Sequence, residues 1–457
     1  MKVKYKIQCA WLLVLSILVN VTEACWGRPS QIIGNLTNDY SLVVGSTVDL
    51  NCTLLQHKIS LVNKDHKNET YFVNSTHLFF RFNNKTVEEE YIHIVDPLTA
   101  RLQVPNANIE QTGKYYCNLR LPETEKSTTV CLSNIYVGYK PREVSSFSCL
   151  SKNFEKLTCC WRPPTNPVPT TYTLKSQVIS GGSLLGYGKC PNTTRVNNTC
   201  CQWGVDTSPP YYRNQEQLWF TLTGHNRLGS ITQNIMVDHY KFVLPDKPSQ
   251  LQASEETPTN IKLNWLPPKN FATWDFQPGL VYELLYKPNN SKNETWKIIK
   301  LGKNIGTHNL MGLVPNTAYD LSVRCRSAEA SGEDMWSKGV STLARTAPDV
   351  PYYVPNMTEG SFEVQKLTDR RSITLYWKPI PEEHYNGKDF HYVIYYKPTY
   401  SLNWKRDVSE KPVKVTDIKY TFSNLNLNVA YNFKIQSANE EGVSRGMEDI
   451  TVESTEN

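Results

Sequence analysis

Residues 261–267 read IKLNWLP, and residues 373–379 read ITLYWKP. In both, apolar and polar residues alternate up to a Trp-x-Pro, the period-two pattern of a strand with one buried face, and the proline removes the donor that would continue it. The two stretches lie 112 residues apart, as do Leu313 and Leu425, and Tyr319 and Tyr431, so one unit occurs twice. In each copy the tyrosine comes 54 residues after the tryptophan and opens a second alternating run. One face of that run carries Tyr319, Leu321, Val323 and Cys325 in the first copy, and Tyr431, Phe433, Ile435 and Ser437 in the second. These are half-buried strands of an antiparallel sandwich. The Leu-x5-Tyr spacing predicts that the tyrosine hydroxyl bonds back to the chain just before its strand.

The paired pattern resembles a fibronectin type III domain. A looser copy lies upstream, with residues 157–163 (LTCCWRP) as the tryptophan strand and residues 218–229 (LWFTLTGHNRLG) as the second run, but without the tyrosine. Prolines mark the joints at Pro141, at Pro245 and Pro248, and at Pro348 and Pro351. The first segment differs. Residues 111–117 (QTGKYYC) resemble the end of an immunoglobulin domain, with Tyr115 as the corner and Cys117 two residues on, and the resemblance makes Cys52 the partner of Cys117. No tryptophan lies between those cysteines, so Phe72 or Phe80 is expected to fill the core.

The amino terminus has Lys2, Lys4 and Lys6, an apolar stretch from Cys9 to Val19, and small residues before a cut after Ala24, the form of a secretory signal peptide. Ten Asn-x-Ser/Thr sequons follow, at Asn35, Asn51, Asn68, Asn74, Asn84, Asn192, Asn197, Asn289, Asn293 and Asn356, beside eleven cysteines; an oxidising, glycosylating compartment accounts for both. No later segment approaches 18 apolar residues, so membrane attachment is expected only through a segment absent from this chain, which is then either released or the outer part of a longer membrane protein. A net charge of +6 spread over 457 residues is too diffuse for a nucleic-acid surface. There is no glycine period, heptad run or long like-charge block.

Six cysteines crowd the upstream copy: Cys149, Cys159, Cys160, Cys190, Cys200 and Cys201, as Cys-x9-Cys-x-Trp161 and then Cys-x9-Cys. Fifteen connectivities are open; a nine-residue spacer favours the local bridges Cys149 to Cys159 and Cys190 to Cys200, and Cys160 to Cys201 would follow. Zinc is disfavoured, since no histidine lies at ligand spacing from these cysteines. The arrangement resembles the amino-terminal half of the cytokine-binding module of class I (haematopoietin-type) cytokine receptors. The second half of that module carries a Trp-Ser-x-Trp-Ser motif after a strand of outward arginines; here Arg324 and Arg326 precede Trp336-Ser337, and only the first half of the motif is kept. The resemblance implies guanidinium stacking on Trp336 as a folding element.

In domain order the chain is similar to tall members of that family, the interleukin-six-group transducer and, by its degenerate Trp-Ser motif, an invertebrate receptor of Domeless type. The expected fold is all-β, tandem β-sandwiches: a signal peptide (1–24), an immunoglobulin-like domain (25–139), and three fibronectin type III domains (140–243, 244–346 and 347–457), the last a spacer outside the ligand site. The resemblance implies no enzymatic activity and no cofactor; the partners it implies are a helical cytokine and a receptor homo- or hetero-oligomer feeding a JAK/STAT-type pathway at the cell surface, or a secreted decoy. No nucleophile elbow, His-Glu-x-x-His or phosphate-cradling glycine loop is present. An adhesion or guidance protein would share such domains, and the cysteine quartet with Trp161 is what sets this chain apart from one. Ligand contact is expected at the elbow around residues 244–248, on two aromatic, sequon-free loops carrying Tyr211 and Tyr212, and Phe271, Trp274 and Phe276. Glycans should shield the first domain and leave that elbow open. With Cys25 paired to Cys131, one thiol is left over; Cys325 continues the Tyr319 face and should be free and buried.

Overall fold

A computed structural model describes residues 25, 33–56, 73–120, 127–180, 183–193, 199–272, 276–289, 295–399 and 412–455. The signal peptide, Phe72, Trp274 and the sequons at Asn68, Asn197 and Asn293 lie outside these residues. The described residues are strands joined by turns and short 3-10 segments. They fall into two compact units, the first comprising 1–149, 158–212 and 217–237, and the second comprising 150–157, 213–216 and 238–457.

The first unit opens with a sandwich. One sheet orders Gly34–Leu36, Val48–Leu54, Thr99–Val104 and Ile92–Asp96; the other orders Tyr40–Val43, Ser127–Gly138, Gly113–Arg120, Leu78–Phe82 and Lys85–Thr86. Val48, Leu50, Cys52 and Leu54 alternate inward as a half-buried strand requires, and Cys52 bridges to Cys117 on the facing sheet. Phe80, fully buried, fills the tryptophan-less core. Tyr115 donates from its hydroxyl to Gln111 O (3.1 Å), the corner bond, and Cys25 closes onto Cys131. The chain leaves this sandwich through Tyr139, whose backbone is gripped from both sides: Asn166 Nδ2 (2.7 Å) and Asn226 Nδ2 (3.0 Å) both donate to Tyr139 O, and Tyr139 N donates to Asn166 Oδ1 (3.2 Å). The next sheet orders Ser183–Lys189, Thr171–Ser180, Gln217–Asn226 and Gly229–Asp238, and Trp161 and Trp203 are buried with the disulfides described below.

The second unit holds the two repeated copies. In the first, a sheet of Ser249–Glu256, Asn260–Leu266 and Thr307–Met311 faces one of Lys297–Lys303, Leu280–Pro288, Ala318–Ser327 and Val340–Arg345. In the second, Phe362–Lys366, Arg370–Tyr376 and Lys419–Asn426 face a sheet built on His391–Pro398 and Tyr431–Asn439. Trp265 and Trp377 are buried in matching places. Both corners form: Val314 N donates to Tyr319 Oη (2.9 Å), and Asn426 N to Tyr431 Oη (3.3 Å). The last sandwich also buries Arg371 completely, its guanidinium donating to the carbonyls of Val429 and Glu453.

Candidate functional site

The cysteine-rich sandwich corrects one expectation. Cys149 pairs with Cys159 as the spacing favours, but Cys160 pairs with Cys200 and Cys190 with Cys201. Strand alternation decides this. Lys156–Arg162 and Cys200–Gly204 are neighbours in one sheet, and in each strand one of the two adjacent cysteines points inward (Cys159, Cys201) and the other outward (Cys160, Cys200). The two outward sulfurs meet, and inward Cys201, beside buried Trp203, takes Cys190. A spacer count reads separation along the chain and is blind to the face on which a side chain emerges. No group of metal-ligating side chains assembles among the described residues.

The Trp-Ser stretch builds a short ladder on the outer face of the third sandwich. Arg324 and Arg326 alternate outward from the Tyr319 run, and their guanidinium carbons lie 4.9 and 4.6 Å from the Trp336 ring centre, one cation on each rung. Arg324 is anchored further by Glu283, whose carboxylate is only 5% exposed and accepts from Nε (2.9 Å) and Nη2 (2.6 Å); Glu333 adds a third, exposed contact. Buried, that carboxylate needs its cation, because desolvating it alone would cost several kcal/mol. Ser337 locks the far side to the strand: its N donates to Cys325 O (2.8 Å) and its Oγ accepts from Cys325 N (3.0 Å). Cys325 is free and buried as expected, and burial pushes its thiol up to about 12.

The predicted contact aromatics divide. Phe271 and Phe276 are core residues and Tyr211 is buried, so none of the three presents a ring to solvent. Tyr212 is 37% exposed. The correction for Phe271 and Phe276 has a clear cause: they pack edge-on against each other (5.1 Å) around Phe154, which reaches Phe276 at 5.1 Å and Phe271 at 6.0 Å. Phe154 sits at a hairpin tip, where Asn153 (φ 50°) and Phe154 (φ 56°) both take the left-handed conformation. An aromatic residue there is strained, and the strain is offset by burying its ring.

Around Phe154 the cluster is completed by Tyr240, by the Arg213 guanidinium over the Phe154 ring (5.4 Å), and by His239, stacked on Phe154 (5.8 Å) and Tyr240 (5.0 Å). His239 Nδ1 lies 2.6 Å from Gln215 O and so carries the proton, while its backbone N donates to Glu216 O (2.8 Å). Enclosed this way, the imidazole is pulled down to about 4 by burial. Asn270 Nδ2 holds the hairpin tip through Asn153 O (3.3 Å) and Glu155 Oε1 (2.7 Å). The sequence reading missed Phe154, His239, Tyr240 and Arg213. The available signal was the apolar residue in the turn 152–155 (KNFE), where solvent exposure would favour a polar one.

Residues 246–342 and 360–453 match the fibronectin type III family. The chain is 25% identical to a cytokine receptor of Drosophila melanogaster over 96% of its own length and 33% of that protein's. It is 27% identical to the mouse leukemia inhibitory factor receptor over 59% of the chain and 23% of the receptor, and 24% identical to mouse interleukin-6 receptor subunit beta over 77% and 37%. The matches therefore span between 23% and 37% of the length of these relatives. By these similarities the chain resembles the class I cytokine receptor family. Within that family it is similar to the Drosophila receptor along nearly its whole length.

Proposed function

We propose that the chain is the cytokine-binding extracellular region of a class I receptor, its first sandwich immunoglobulin-like and its second a fibronectin type III domain. The observation that carries this reading is the order of two features in one chain: the six-cysteine sandwich with Trp161, then the ladder of Arg324, Trp336 and Arg326. Both are frame elements, so the ligand, a helical cytokine, meets other residues. Tyr212, exposed, and Trp274 are the contact aromatics of this proposal, because a large rigid ring gains apolar contact for little rotamer entropy. Signalling runs through a JAK/STAT-type pathway in a membrane-tethered form; a secreted form sequesters the cytokine. The fourth sandwich is a spacer. The secreted chain should bind a four-helix cytokine of its own organism in surface plasmon resonance, and Tyr212→Ala and Trp274→Ala should each weaken it about 30-fold, roughly 2 kcal/mol. Binding to none of those cytokines would sink the reading; unchanged affinity in both variants would move the contact elsewhere.

A further inference from the structure

The segment joining the third and fourth sandwiches carries the most exposed large apolar side chain among the described residues, Tyr352, at 81%, next to Tyr353 at 49%. The two rings meet edge-on at 5.3 Å, and Tyr353 also lies 4.5 Å from the His384 ring. The backbone that carries them is held: Pro351 and Pro355 are buried on either side, and Ser437 Oγ donates to Tyr353 O. Two rings in contact and facing water are an apolar surface without a cover. Three residues beyond Tyr353 stands exposed Asn356, in the sequon Asn356-Met357-Thr358, its carbonyl fixed by Lys378 N (3.1 Å).

We propose that Asn356 carries an N-linked glycan whose first sugar lies on Tyr353 and Tyr352 and covers this joint. In the modification, Asn356 Nδ2 bonds to the anomeric carbon of an oligosaccharide held on a lipid pyrophosphate; the bond from that carbon to the pyrophosphate oxygen breaks, and Nδ2 releases a proton. Three residues of chain span at most roughly 10 Å, a distance that the asparagine side chain and one sugar ring cover together. A pyranose presents a face of C–H bonds, which the negative face of an aromatic ring attracts, and the tyrosine hydroxyls remain wet at the rim. The occupant is thus set by the sequon itself.

The chain supplies its own control. Asn289 also has a tyrosine three residues before it, but Tyr286 lies within the strand Leu280–Pro288, is half-buried and has the Lys297 ammonium 5.8 Å from its ring centre. Tyr286 therefore offers a glycan on Asn289 no open ring of the kind that Tyr352 and Tyr353 present.

The test uses the full chain secreted from animal cells. Glycopeptide mass spectrometry should find Asn356 occupied. Hydroxyl-radical footprinting should then oxidise Tyr352 and Tyr353 at least threefold faster after enzymatic deglycosylation of the folded protein, and likewise in Asn356→Gln, with Tyr286 unchanged by loss of its neighbouring glycan. An unoccupied Asn356 overturns the proposal, as does equal oxidation of Tyr353 with and without the glycan. Because the enzymatic arm starts from protein already folded, a poorly secreted variant leaves the reading intact.

Discussion

Cys325 in the third sandwich and Ser437 in the fourth occupy matching places on the strand that follows the corner tyrosine, and both are fully buried. Inward positions on either side keep their character: Tyr319 and Tyr431, Leu321 and Phe433, Val323 and Ile435. The outward ones do not. Where the third sandwich has Arg324 stacked on Trp336 and anchored by Glu283 on the neighbouring strand, the fourth has Gln436, buried and donating to Ser444 O (2.7 Å), with Val393 in the place of Glu283. Two copies of one frame thus separate what the sandwich needs from what one copy has added. A second addition is the cluster around Phe154, through which residues from two short earlier stretches join the third core.

The cluster offers the largest effect by which to break this comparison. Phe154→Ala should destabilise the third sandwich by about 3 to 4 kcal/mol, as emptying a large aromatic site does. Hydrogen exchange resolved by residue would show protection lost over 249–345 and kept over 362–452; equal loss in both would mean that the two copies unfold as one body. Acid comes next. His239 is stabilised neutral, with a folded pKa of about 4 below the ordinary 6.5, so its contribution is complete above about pH 6.5 and falls away as pH drops toward 4. The third sandwich should lose about 3 kcal/mol between pH 7 and pH 4 through this group. The fourth has no buried histidine among its described residues and should not follow that curve in the same exchange experiment.

A smaller effect sharpens the outward difference. Arg324→Gln places at 324 the residue found at 436 but leaves buried Glu283 without its cation, and should cost about 2 kcal/mol. Adding Glu283→Gln should restore most of it; chemical denaturation of both variants would find no recovery if the ladder, and not the ion pair, carried the energy. The smallest change is Cys325→Ser, which copies the fourth sandwich into the third. It should cost about 1 kcal/mol or less, since Asp246 O and Ser337 Oγ, both 3.6 Å from Sγ, are polar neighbours a hydroxyl can use. In the native chain, a thiol reagent at neutral pH should leave Cys325 unlabelled until the domain unfolds.

What the sequence made legible followed the face on which each residue emerges. The Trp265 and Trp377 strands, the corner tyrosines, the inward register of Cys325 and the bridge Cys52–Cys117 all come from alternation or from a motif that encodes it, whereas Cys25–Cys131 follows from pairing the cysteines left over. The expected bridge Cys190–Cys200, and with it the remainder Cys160–Cys201, fails because distance along the chain says nothing of facing. Phe271 and Phe276 read as contacts because they sit on an aromatic, sequon-free loop beside the elbow, whereas their partner Phe154 lies over a hundred residues earlier, and no local pattern announces a ring arriving from so far away.

Arg371 gives the fourth sandwich a mechanical property. Its guanidinium, sealed inside the domain, clamps the carbonyls of Val429 and Glu453 at the point where the strand Glu448–Val452 ends, beside the start of its partner Tyr431–Asn439. A tension arriving from the carboxy-terminal side would meet this charged rivet before it reached the Val452–Tyr431 pairing. That rung would be the first to open in a peeling geometry. To unzip the strand, the pull must also tear this buried cation from two backbone carbonyls. Together with the bonds that Thr455 makes to Leu427 just beyond it, that side chain shields the hydrogen-bonded ladder behind it from a load applied at this end.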